Sequence, residues 1–171
     1  ALQATMAFEY AFIPELFKLD KMWRDKIEES VSIVQAGRTH LQTALPVTGG
    51  FWLSCGHYRY VDTVQNLRKR ANEIPGKFSG AVGTSASQRA LIDSRRGEDI
   101  LMELLNLPEP GVSTRIAPPE GMARFYHEMV LLSGVLANLG DDTRILQASQ
   151  FGEITSESSS SSRPIRCGRF R

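Results

Sequence analysis

The chain has 171 residues, 42% of them hydrophobic and 23% charged, with a formal net charge of +1. That length supports a core of its own, and that charge balance excludes a polybasic nucleic-acid or membrane-surface role. No apolar run reaches the roughly 18 residues that a membrane-spanning helix needs.

The opening, ALQATMAFEY, lacks the basic start and apolar core of a secretory signal. It begins inside an apolar helical pattern without an initiator methionine, which reads as a start partway through a larger protein. Phe12, Leu16, Leu19, Trp23, Ile27, Val31 and Val34 recur at helical spacing, and Pro14 should begin or kink that helix. GRTHLQTALP follows at residues 37–46 and predicts a tight turn between two helices, carrying Thr39, His40 and Gln42. A histidine at such a junction can face a cleft, with Thr39 and Gln42 as hydrogen-bond neighbours that fix its tautomer and hold a carboxylate. The plainer reading is a loop bracketed by Gly37 and Pro46, with Thr39 as a helix cap.

A second helix is predicted from about Thr48 to Asn72, with Phe51, Cys55, Tyr58 and Val61 on its buried face and Pro75 as its stop. The glycine-spaced stretch Gly76–Thr84, GKFSGAVGT, is a loop with backbone freedom at three positions. Its lysine, Lys77, has no phosphate-loop order around it, and the glycines are read as permitting close helix approach. A short helix near Gly97–Leu107 carries Ile100, Leu101, Leu104 and Leu105. The last helix is the clearest: Met122, Phe125, Met129, Leu132, Leu136 and Leu139 step by threes and fours. Such a stripe is read as core or subunit packing, and with few strand signals it predicts an all-α long-helix bundle. His57 and His127 sit in helical runs without ligand spacing and are read as packing or surface residues. Cys55 and Cys167, the only cysteines, form no metal or disulfide pattern, so a cytoplasmic setting is expected. Beyond Gly152 the composition turns to serine, ordinarily the mark of a linker. The expected division is a helical core over residues 1–152 and a serine-rich segment with a basic tail over 153–171.

Taken together, GRTHLQTALP, GKFSGAVGT and the serine-rich segment after a long helix resemble, in that order, the fumarase/aspartase superfamily of lyases. The first resembles that family's T-H-x-Q turn and the second its G-K-[IF]-x-G-A-V-G-T loop. The region Ser113–Glu153 looks most like the adenylosuccinate lyase branch. The resemblance implies elimination of fumarate from a succinylated substrate, with no metal or organic cofactor. It also implies a homotetramer of small-molecule enzymes, with sites shared among subunits and neither nucleic acid nor membrane as partner. Fumarase-, argininosuccinate- or carboxymuconate-type chemistry is the alternative within the superfamily. By the same resemblance His40 is the general acid or orients the leaving group, and Thr39 and Gln42 bind carboxylate or phosphate oxygens. Ser113, Thr114 and Arg115 resemble a family S-T-Q segment that binds substrate; the arginine in place of glutamine either holds a carboxylate or phosphate or is a solvated cation.

The family's base is a serine in a loop of pattern S-S-x-M-P-x-K-x-N. A gap-free overlay sets Ser160 and Ser161 on its serines and Pro164 on its proline, making Ser161 the candidate base. The run Ser158–Ser162 also permits neighbouring registers. A serine hydroxyl needs loop amides and the family lysine to act as a base. Here Arg163 replaces the methionine, and residues 165–169 carry neither the lysine nor the asparagine in place. The family's upstream T-S-x-[DN] block is absent, and the chain stops at Arg171 where family members continue. Degenerate codons for residues 163–167 read in a shifted frame permit Ala-His-Lys-Val, which suggests a frameshift. The competing expectation is a catalytically incomplete piece that acts only as a component of an oligomer.

Overall fold

The computed structural model describes residues 1–91 and 94–154, with 94–96 described by backbone alone. Its elements are α1 (Leu2–Ala7), α2 (Ile13–Glu29), β1 (Val34–Thr39), β2 (Gln42–Thr48), α3 (Gly49–Ala71), α4 (Ala86–Leu91), α5 (Ser94–Leu104) and α6 (Glu120–Leu146). A π-helical turn, Phe8–Phe12, joins α1 to α2. The fold is mostly helical, as expected, but the expectation of an all-helical chain misses one antiparallel hairpin. Pro14 stands second in α2, directly after that π-helical turn; it removes a donor inside a continuous helical run, and the wider turn is the local adjustment beside it. Among the described residues no helix is long and apolar enough to cross a membrane.

The chain divides into two compact units: Ala1–Phe17 with Thr63–Leu131, and Lys18–Asp62 with the chain from Leu132 onward. In the first, Phe8, Leu67, Ile74, Met102 and Phe125 are buried. Phe8 meets Phe125 edge to face at 5.3 Å between ring centroids, the arrangement that ring quadrupoles favour. In α5 Met102 is buried, while Ile100 and Leu104 are exposed. Asn106 ends that helix at φ 50, and the Leu107 N–H reaches back to the Met102 carbonyl at 2.9 Å, a left-handed cap made by asparagine instead of glycine. A Cβ at Gly76 would run into Met102, so this glycine serves packing, as read from the sequence.

In the second unit Trp23 of α2 is the centre. Its indole N–H donates to the Leu53 carbonyl at 3.1 Å, and its ring lies 5.4 Å from Tyr60 and 5.7 Å from His57. His57 pairs with Asp20 at 2.8 Å, so the packing role expected of it holds. Gly56 lets the two helices meet, since a Cβ there would stand 2.9 Å from the indole. Gly49 and Gly50 do the same at the start of α3, donating to the Ile33 and Ser30 carbonyls at 2.8 Å each. Thr48, not Thr39, is the cap: its hydroxyl accepts from the Phe51 N–H at 3.1 Å.

Of the two long apolar stripes, that of α3 lies off the periodic expectation and that of α6 follows it. On α3 the buried positions are Tyr60, Thr63, Leu67 and Ala71, whereas Phe51, Cys55 and Tyr58 are exposed. On α6 the seam faces inward at Phe125 and Leu132, with Val135 and Leu146 also buried, while Tyr126, Val130 and Leu131 are exposed. Val31 and Val34 fall beyond the end of α2, and Val34 opens β1.

Candidate functional site

Residues 34–48 form a hairpin whose strands pair toward a two-residue loop, His40–Leu41, with Val34, Thr39, Thr43, Val47 and Thr48 as its β-branched positions. Thr39 and Gln42 are the last cross-strand partners and flank that loop. His40 and Leu41 stand at φ 51 and φ 61, the left-handed pair that a tight hairpin turn demands. Asn-Gly would adopt it with little strain. Leucine there costs on the order of 1–2 kcal/mol, and such strain recurs at functional sites.

Lower in the hairpin β1 advances two residues, Ala36 to Arg38, while β2 advances three, Pro46 to Thr43. This bulge lies opposite Gly37, where a Cβ would stand 2.5 Å from the Leu45 carbonyl oxygen. The sequence expectation of a turn at 37–46 is thus corrected to two strands and a bulge, with the histidine at the tip.

Thr39, His40 and Gln42 are all exposed. Among the described residues the His40 ring has no hydrogen-bond partner, so Thr39 and Gln42 flank it without fixing its tautomer. Beside it opens a cleft of about 420 Å³ lined by Arg38, His40, Leu41 and Trp52, with Asp142 and Ile145 from the end of α6.

Arg38 was not singled out in the sequence, yet it has the most developed contacts here. Its Nη1 and Nη2 donate to Oε2 and Oε1 of Glu153 at 2.8 and 2.7 Å, and its guanidinium lies 4.5 Å from the centroid of the Phe151 ring. Nη1 also donates to the Ala36 carbonyl at 3.2 Å. The carboxylate hydrogen bond raises the Arg38 pKa further, against the opposing effect of burial. No sequence signal links the two residues, which lie 115 positions apart.

The glycine loop and Ser113 come together in the first unit. The Ser79 and Ser113 hydroxyls are 2.8 Å apart, and the Ser85 N–H donates to the Ser79 carbonyl at 2.9 Å. Gly83 sits at φ 75 directly against Ser113, where a Cβ would collide with the backbone carbonyl. The Lys77 ammonium donates to the Gly80 carbonyl within the same loop. A cavity of about 230 Å³ opens here, lined by Ser79, Ser113 and the carboxylates Glu98, Asp99 and Glu109. Ser113 is half-buried, while Thr114 and Arg115 are exposed, and Arg115 has no ion-pair partner among the described residues. Ser161 and the run Ser158–Ser162 lie outside the described residues.

The family described as Lyase matches residues 1–163 of the chain. The chain is 33% identical over 141 residues to the adenylosuccinate lyase of Archaeoglobus fulgidus, covering 80% of this chain and 31% of that protein. It is 28% identical over 150 residues to the class II fumarate hydratase of Prochlorococcus marinus, covering 83% and 31%. Among solved structures, the fumarate lyase from Mesorhizobium sp. BNC1 superposes with a TM-score of 0.77 at 26% identity, covering 90% of this chain and 35% of that one. The chain therefore spans about a third of the length of the relatives it matches.

Proposed function

The chain belongs to the fumarase/aspartase superfamily of lyases, and from that premise we propose that it contributes the histidine side of a site that eliminates fumarate from a succinylated substrate. Adenylosuccinate is the substrate we favour, because adenylosuccinate lyases recur among the relatives.

In this reading a base takes the proton from the carbon next to a substrate carboxylate. The carbon–nitrogen bond breaks, its electron pair departs with the nitrogen, and an acid supplies that nitrogen with a proton. His40 is the acid, or holds the leaving group for it. Thr39 and Gln42 donate to carboxylate or phosphate oxygens, which stabilises the dianion that develops. Ser113, Thr114 and Arg115, a cation without an ion-pair partner among the described residues, serve the substrate's anionic groups, and Ser161 is the base. The whole enzyme works as a cytoplasmic homotetramer with sites shared among subunits, and carries no cofactor.

The observation that carries the reading is His40 itself. It is an exposed histidine held in a left-handed turn at the mouth of a cleft, flanked by a threonine and a glutamine. The test is fumarate release from adenylosuccinate, followed by ultraviolet absorbance. His40→Ala should lower the rate by on the order of 10²–10⁴; equal rates in both proteins would remove His40 from the chemistry.

One observation favours a second reading. Residues 165–169 lack the lysine that a serine base needs, so the isolated chain is then inactive and works only beside subunits with an intact loop. Turnover that appears only in a mixed oligomer with such a subunit would identify this case.

A further inference from the structure

We propose that Arg38 and Glu153 are positioning residues for His40, which they orient by tying its hairpin to the chain that leaves α6. The inference rests on the reading of His40 as the acid of a fumarate-releasing site.

Arg38 precedes His40 by two residues on the same strand, and both line one cleft. Its fork closes on both oxygens of Glu153, with the side chains only 15% and 13% exposed. Nη1 also reaches back to Ala36, on the other side of the bulge. The far end of the strap is equally fixed. Gly152 turns the chain at φ 58, and the Glu153 N–H donates to the Leu146 carbonyl at 3.0 Å. The guanidinium is also stacked on Phe151. The tip residues have no such anchor, since both are exposed and strained. The direction of the His40 ring therefore depends on what holds the strand below it.

A nearly buried ion pair is a poor device for stability alone, because desolvating two charges offsets most of their attraction. A two-pronged fork does fix an angle between two segments, which a greasy contact does not. Arg38 also lines the same cleft as the imidazole. The charges that line the cleft with the imidazole are Arg38 from β1 and Asp142 from α6, and Glu153 neutralises the first. Removing Glu153 leaves a cation near the ring, and removing Arg38 leaves an anion.

The test follows the ring resonances of the three histidines through a pH titration, with amide exchange over residues 34–48. Arg38→Met should move the His40 midpoint up and Glu153→Gln should move it down, while His127 stays. Each variant should raise hairpin amide exchange about tenfold or more, as expected on losing a charge-assisted partner. Combining both substitutions should return the midpoint toward the parent value but leave the exchange fast. If Arg38→Met does not fold, Glu153→Gln, which keeps size and shape, carries the same test. A His40 midpoint unmoved by a variant that folds, or hairpin exchange unchanged in it, overturns the proposal. Fumarate added to the unaltered protein separates the two ideas. A His40 resonance that moves in the variants but ignores fumarate, in the isolated chain and in a mixed oligomer with an intact subunit alike, refutes the lyase reading and leaves the strap in place.

Discussion

Gly80 and Gly83 stand three residues apart in one loop, at φ 81 and φ 75. They are glycines for different reasons. At Gly80 a Cβ would meet nothing within 4 Å, so only the backbone conformation is at stake. At Gly83 the same conformation is combined with a collision against the Ser113 carbonyl. Gly80→Ala should therefore cost about 1 kcal/mol, and Gly83→Ala about 2–4 kcal/mol, as measured by urea denaturation. The second should also separate Ser79 from Ser113. Equal losses would mean that the loop is not seated on Ser113. The glycine motif is visible in the sequence, but the partner that makes one glycine dearer than the other is 30 residues further on.

The hairpin is the element on which the site depends, and its weakest link is its tip. Leu41 is 59% exposed, so its side chain gains little from burial while its backbone sits in the left-handed region. Leu41→Gly should stabilise the protein by roughly 1 kcal/mol, read as a higher urea midpoint. A loss instead would show that Leu41 is held by contacts that outweigh its strain. Helix periodicity carried the reading past Glu29 into residues that form strands. The reason is local: Val31 and Val34 continue the spacing of α2, while Gly37 and Pro46 look like loop brackets in any sequence. A hairpin with His-Leu at its turn lacks the Asn-Gly signal by which such turns are recognised.

For the molecule as a whole, stability at high pH rests on the core around Trp23. Tyr60 is buried there, and burial, helped by the nearby Asp20 carboxylate, pushes its pKa up from 10 to about 12. The folded protein thus keeps a proton that the unfolded chain gives up. The stabilisation is complete below pH 10 and is lost as the pH rises from 10 to 12. It amounts to about 3 kcal/mol, two factors of ten at 1.4 kcal/mol each. Denaturation midpoints should fall across that window, and Tyr60→Phe should flatten the fall. An unchanged slope in the variant would place the alkaline transition elsewhere.

The sequence by itself determined the mostly helical class, the bounds of α3 to within a residue or two, the inward seam of α6 and the superfamily. These follow from local periodicity and from short motifs, each of which is contained in its own segment. Only the tertiary structure decided which face of α3 is buried, because apolar residues occur on more than one side of it and packing chooses between them. It also decided that the histidine turn is a strained strand tip, that Ser79 holds Ser113, and that Arg38 clasps Glu153. Those last pairings join residues 34 and 115 positions apart, and charge or hydroxyl partners at such separations leave no periodic trace in a single chain.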